Sequence, residues 1–175
     1  MGNIDRHPDV KLIAGFIFSD NASQLRAQHL MVQDYGPIDH HSDIFAFNKT
    51  SYYDEEMGRG LKKKFVSFLK MRPVEDIEDV KIYTNKLEDI FKKNNKRVVN
   101  IDPGYVTESK VVLFTTKNFQ HRIYISKGIF AEATLMFKKG SYIPCEWTYP
   151  DFRTEEYINF FNIVRRSIGS RAHAA

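Results

Sequence analysis

The sequence predicts an α+β fold: a ferredoxin-like two-layer sandwich whose antiparallel sheet carries helices on one face, extended by a C-terminal strand pair and helix. Three observations predict it. Short bulky apolar runs alternate with stretches of helical periodicity, and in the first part of the chain their order is strand, helix, strand, strand, helix, strand. With 14 Phe, 9 Tyr and 1 Trp among 175 residues, the chain has enough apolar surface for a core and is not a disordered segment. No repeat or low-complexity linker interrupts it. The expectation is one domain over 1–175, with its core over about 10–106, the elaboration over about 107–169 and a frayed tail at 170–175.

Val10 to Ser19 (VKLIAGFIFS) is a bulky apolar run that reads as a buried strand, and Ser19-Asp20-Asn21 can cap a helix from about Ala22 to Asp34. Gly36-Pro37 stops that helix. Ile44 to Phe47 suits a short strand. Tyr52 to Gly60 is polar with two glycines, a loop or a short helical turn, and Lys64 to Met71 alternates as a strand does. After Pro73, the residues Ile77, Val80, Thr84, Leu87 and Phe91 recur at spacings of 3, 4, 3 and 4, which puts them on one helical face. Asp76, Asp79 and Lys86 fall on the other side, and Asn94-Asn95 ends the pattern. Arg97 to Ile101 is a short strand running into a turn at Asp102-Pro103-Gly104. Thr107-Glu108 can open a helix over Val111 to Phe114, although those residues suit a strand equally. Arg122–Ser126 and Ala133–Phe137 form a strand pair joined through Lys127-Gly128. Thr154, with Glu155 and Glu156, caps a last helix whose Tyr157, Phe161, Val164 and Ile168 repeat at spacings of 4, 3 and 4.

Composition removes several functions. The net charge, 26 minus 22 or +4, is mildly basic and falls short of a nucleic-acid signature, although lysines and arginines cluster at 59–64, 92–97 and 165–166. A single cysteine, Cys145, excludes an intramolecular disulfide and a multi-cysteine zinc site, and reads as an inert buried thiol. The longest apolar run, Leu12 to Phe18, is seven residues against the roughly 20 that span a bilayer. No apolar stretch follows a basic start, so a cytoplasmic protein with no membrane partner is expected. GxxxxGK[ST], GxGxxG, HExxH, GxSxG and CxxC are all missing, which argues against P-loop and Rossmann nucleotide enzymes, zincins and the common serine hydrolases.

Four constellations remain as places for chemistry. Asp102, at a strand end before Pro103-Gly104-Tyr105, can bind a metal, orient a base or accept from a hydroxyl; the bland alternative is a turn residue bonded to its own backbone. His121-Arg122 and Glu132 come near each other if their strands form a hairpin. Arg122 then suits a phosphate or carboxylate and His121 an acid, base or ligand role, against a surface ion pair with an idle histidine. Strand alternation predicts that His121 and Arg122 point to opposite faces and cannot serve one pocket. Tyr53 and Glu56, in a run with Gly58 and Gly60, resemble the polar half of a small-molecule site; acidic runs are more often solvated loops. Thr84-Asn85-Lys86 with Glu88 lies in the amphipathic helix, where Thr84 in the core and Lys86 in water is the simpler reading. Trp147 to Asp151 looks like a corner before the last helix, with a stacking platform as the lesser alternative. His40-His41 with Asp43 is a weak metal pattern.

The strings TSYYDEEMG, VKIYTNKLE, VVNIDPGY, HRIYISKGIFAEATL and EWTYPDF, with VKLIAGFIFS near the start, resemble an uncharacterised bacterial family catalogued as a domain of unknown function, DUF4416. The resemblance runs from Pro8 to Arg166 and implies a small cytoplasmic bacterial protein; it supplies no activity, cofactor or catalytic residue. It implies that Tyr53, Glu56, Asn85, Glu88, Asp102, Tyr105, Arg122 and Glu132 belong to the family's pattern. Phe114 departs from it, where a smaller residue is expected.

These readings converge on binding or processing of a small anionic, phosphate- or carboxylate-bearing ligand. Arg122, Tyr53, Glu56, Tyr105 and Asn85 hold it, and Asp102, Glu132 and His121 supply any acid/base chemistry. Asp102, Glu132 and Glu56 serve either as ligands of a divalent metal, the one cofactor considered, or as carboxylates whose proximity separates acid from base. The alternatives are a single-stranded RNA-binding module, with bases stacked on a ferredoxin-like sheet, and a protein-interaction or assembly subunit without catalysis.

Overall fold

The computed structural model describes residues 3–75 and 77–172. In chain order its elements are β1 (Val10–Phe18), α1 (Asn21–Tyr35), β2 (Ile38–His41), β3 (Phe45–Ala46), α2 (Asp54–Met57), β4 (Lys62–Arg72), α3 (Glu78–Ile90), β5 (Val99–Val106), β6 (Lys110–Thr115), β7 (Ile123–Ser126), β8 (Ile129–Lys138), β9 (Ser141–Pro144), a 3₁₀ turn (Pro150–Arg153) and α4 (Glu155–Ala172). Among the described residues nine strands form one sheet, every pair antiparallel. The path is β2-β4-β1-β5-β6-β8-β7, with β3 also on β4 and β9 also on β8.

β1 explains the layering. All nine of its residues are buried, and because successive side chains point to opposite faces, both faces of the strand must be covered. Leu12, Ala14, Phe16 and Phe18 meet Ala27 and Met31 of α1 and Val80 and Leu87 of α3. On the other face Ile13, with Phe65 of β4, packs against Tyr157, Phe160, Phe161 and Val164 of α4. The expectation of helices on one face therefore holds for α1 and α3 alone; α4 covers the opposite face, giving three layers over the central strands. The C-terminal strands are no appendage either. They continue the same sheet outward from β5, through β6 and β8.

Local chemistry sets the element ends. Asp20 caps α1, its carboxylate accepting from the Ser23 N–H at 3.0 Å. Asn94 and Asn95, at φ 50° and 60°, form the tight turn between paired Lys93 and Lys96, and Lys127-Gly128, both at positive φ, join β7 to β8. The helical face predicted after Pro73 is α3, with Thr84 in its core and Lys86 exposed; Asp76 lies outside the described residues. α4 extends through Ala172, into the span expected as a tail, while 173–175 lie outside the described residues. Residues 110–115 are a strand, where Phe114 is buried against Tyr105 with ring centroids 5.8 Å apart.

The Asp102-Pro103-Gly104 turn is a second correction. β5 runs straight through it, with Asp102 opposite Gly15, Pro103 opposite Ala14 and Gly104 opposite Ile13. Pro103 is tolerated because pairing with β6 begins only at Gly104, so the strand is flanked on one side there. Gly104 is required for a different reason: a Cβ at this position would lie 2.1 Å from the Val112 carbonyl oxygen. The glycine admits β6, where a turn was expected to admit a ligand.

Candidate functional site

On the α4 side of the sheet, the end of β1, the start of β4 and the middles of β5 and β8 come level. The register sets Ile17 beside Lys63, Gly15 beside Asp102 and Leu113 beside Glu132. All of these but Gly15 line a cavity of about 200 Å³, closed by Tyr52 and Tyr53 ahead of α2 and by Tyr149 ahead of the 3₁₀ turn. Asp102 faces it because strand alternation puts it on the same side as Gly15, where the Phe65 ring packs against the glycine.

Glu132 is the hub of the first polar group. It is buried, and its Oε2 accepts from Arg122 Nε at 2.7 Å and faces His121 Nε2 at 3.2 Å, while Thr134 donates to Oε1 at 3.4 Å. Arg122 also donates to the Lys117 carbonyl and to the Tyr149 hydroxyl, each at 3.1 Å. Burial pulls the Arg122 pKa down, but the bond and charge of Glu132 outweigh this and raise it. Both side chains of the His121-Arg122 pair thus converge on one carboxylate. The opposite-face expectation fails because these residues precede β7, where strand alternation does not apply. The His121 Nδ1 atom is buried and has no hydrogen-bond partner among the described residues.

The second group centres on Arg97. Its Nε and Nη2 grip both Glu56 oxygens at 2.6 Å, and its Nη1 donates to Glu88 at 2.7 Å and to Asn100 at 2.9 Å. Asn100 passes the chain on, its amide donating to Asp102 Oδ1 at 2.9 Å. Buried Glu88 also accepts from the Ile101 N–H at 2.8 Å. The paired guanidinium holds the Glu56 carboxyl below its ordinary pKa, and Glu56 raises that of Arg97. Tyr53, packed beneath the Arg97 guanidinium, has its phenol raised by burial. The third group is Lys63, buried among the rings of Phe47, Phe65, Phe152 and Tyr157 and donating to Asp151 at 2.8 Å.

Of the predicted site residues, Asp102, Glu132, Arg122 and Tyr53 line the cavity. His121 touches Glu132 and lines the cleft next door. Glu56 reaches the site only through Arg97. Tyr105 is a core residue, buried with Ile77, Val112 and Phe114, because its odd position on β5 faces away from Asp102. Asn85 is half-buried on α3 and is not on the cavity lining. Sequence reasoning missed Lys63, Asp151 and Arg97, and placed Asn100 in the candidate string that leads into Asp102 without giving it a role. The two cations stood inside charge clusters that read as solvated, Asp151 inside an aromatic corner, and no local signal separated them. Cys145 is half-buried, and burial raises its thiol pKa.

The three carboxylates on the cavity lining are unequal, and Asp151 is already held by Lys63 at 2.8 Å. Glu132 is occupied by Arg122, His121 and Thr134, whereas Asp102 holds only the Asn100 amide and, among the described residues, has no cation within salt-bridge distance. Asp102 is the acceptor left open to a ligand. Among the described residues no three His, Cys, Asp or Glu side chains gather as a metal ion requires, so Asp102, Glu132 and Glu56 form no metal cluster. No described helix is long and apolar enough to cross a membrane.

No curated protein and no solved structure gives a significant match to the chain. A family model does, over residues 8–167, nearly the whole span just described. The chain that builds this cavity belongs to the family described as Domain of unknown function (DUF4416).

Proposed function

We propose that the cavity binds a small anionic ligand, with Lys117 meeting the anion and Asp102 accepting from a hydroxyl or amine of the same molecule. One observation carries this. The cations Lys63, Arg97 and Arg122 each hold a carboxylate, but Lys117, on the same lining as Lys63 and Arg122, holds none among the described residues. Its ammonium donates to the Tyr52 hydroxyl and lies 4.1 Å from that ring's centroid. A cation held in place by a neutral partner keeps its charge available to an anion. Glu132 and His121 act here as positioning residues for Arg122, and the proposal assigns no reaction.

The first half of the chain is, in this reading, a ferredoxin-like core. The order β2-β4-β1-β5, with α1 and α3 on one face, supports it. A lone half-buried thiol suits a reducing compartment, the cytoplasm of a bacterial cell as the family resemblance implies. The assembly reading retains one observation: β7, a sheet edge, exposes Ile123, Tyr124 and Ile125. The RNA reading is weaker, because the central strands are covered on both faces and leave no open sheet on which to stack bases.

A thermal-shift panel of inorganic phosphate, glucose 6-phosphate, citrate and a nucleoside monophosphate tests the pocket. At 100 times its Kd a ligand adds about 2.7 kcal/mol, a shift of several degrees. At least one anion should raise Tm by that much in the parent and by about half of it or less in Lys117→Ala, as a tenfold loss of affinity requires. A flat panel, or equal shifts in both proteins, contradicts the proposal.

A further inference from the structure

Next to the cavity, sharing Tyr52, Lys117, Arg122 and Tyr149 with it, lies an open cleft of about 680 Å³. Four of its aromatic side chains stand exposed: Tyr52 at 62%, Phe119 at 58%, Tyr149 at 50% and Trp147 at 43%. Exposed apolar residues ordinarily scatter singly, so four around one cleft mark a contact surface. The indole is fixed in place. It stacks on His121 at 5.5 Å and 10°, and its Nε1–H donates to the Ala133 carbonyl at 2.9 Å. His121 is itself held by Glu132 and by the edge of Phe119. An aromatic surface immobilised before binding loses little freedom when a second ring stacks on it.

The polar groups of the cleft favour a heterocycle over a plain hydrocarbon ring. The side-chain amides of Asn118 and Gln120 lie on its lining and have no partner among the described residues. Such amides match the donor–acceptor edge of a nucleobase. Lys117 stands where cleft and cavity join, and Glu146 is the one carboxylate on the cleft lining.

We propose that the cleft takes the heteroaromatic ring of the same ligand whose anion meets Lys117, so that the molecule bound across cleft and cavity is a nucleoside monophosphate. The inference rests on the anion-pocket reading and adds the ring to it.

Trp147 is the chain's one tryptophan, so its fluorescence reports the cleft directly. Adenosine 5′-monophosphate and ribose 5-phosphate are titrated into the parent and into Trp147→Leu, following emission in the parent and heat in both. Stacking on an aromatic surface is worth roughly tenfold or more in affinity. The nucleotide should quench Trp147 and bind at least tenfold tighter than the sugar phosphate, and Trp147→Leu should remove that advantage while leaving sugar-phosphate affinity unchanged. Equal affinities, or nucleotide binding without quenching, overturn the ring assignment and leave the anion pocket standing. If neither compound binds, the ring assignment falls, and with a flat thermal-shift panel the anion pocket falls as well. A seven-residue oligoribonucleotide that binds more than tenfold tighter than the nucleotide, with a steep loss as salt rises, overturns the single-nucleotide assignment in favour of a strand-binding surface.

Discussion

Arg97 engages three separate segments with one side chain: Glu56 on α2, Glu88 on α3, and Asn100 on β5. Removing it would leave Glu88, 6% exposed, facing only the Ile101 N–H and Lys81 at 3.6 Å. Breaking a buried pair by deleting one partner is costly, because the other charge stays desolvated. Arg97→Met should therefore lower stability by about 3 kcal/mol, measured by urea denaturation; a loss under about 1 kcal/mol, the value of a surface pair, would mean the group is solvated. In the sequence Arg97 is the last of four closely spaced cations, and nothing about that run reveals which one turns inward. Glu56 was legible as a site residue for the wrong reason. It belongs to the site through a guanidinium 41 positions away, a distance that local pattern cannot bridge.

At the scale of elements, the ends were legible and the interruptions were not. Asp20 was identifiable as a helix cap from its neighbours, and its carboxyl falls to about 2, chiefly through the Ser23 hydroxyl and then Lys93. The folded pKa lies below the ordinary 3.8, so the stabilisation is complete above about pH 4 and disappears as pH falls from there towards 2. Asp20→Ala should cost about 1 kcal/mol at pH 7, and the gap between variant and parent should close in urea melts taken at progressively lower pH. A gap that persists unchanged at low pH would remove Asp20 as its source. The Asp-Pro-Gly string, by contrast, carries every local mark of a turn, yet its neighbours in space hold it as a strand. Tertiary pairing with β1 decides the matter, and the same pairing turns Asp102 into the cavity. Gly104→Ala tests this directly, since its Cβ would meet backbone at 2.1 Å. The expected loss is about 3 kcal/mol or failure to fold; a neutral result would mean that β6 does not approach β5 as described.

At the scale of the molecule, a sheet covered on both sides is what creates the site. α1 and α3 seal one face; α4 and the 3₁₀ turn seal most of the other, and the cavity is the part of that second face left over beyond Phe65 and Phe152. The two-face cover was hidden in the sequence because β1 reads simply as apolar, and an unbroken apolar run shows that a strand is buried without showing what lies on each side. Four of the eight predicted site residues nevertheless meet in one cavity. Asp102, Glu132, Arg122 and Tyr53 are polar or aromatic groups beside apolar runs, which is a pattern a sequence can display. The partners that complete the site come from elsewhere in the chain: Asp151 from the 3₁₀ turn, and Lys63 from across the sheet, where its place depends on register. Register in turn follows from how the faces are packed. The central claim is that Asp102 and Lys117 together hold one small anion. The most direct measurement is calorimetric titration of ribose 5-phosphate, which carries both a phosphate and free hydroxyls, into the parent, Asp102→Asn and Lys117→Ala. Asp102→Asn keeps an oxygen for the Asn100 amide, so its Tm should match the parent while its affinity falls by roughly tenfold or more, as for a lost hydrogen bond to a charged group, and Lys117→Ala should fall comparably. Binding of equal strength in all three proteins would contradict the account.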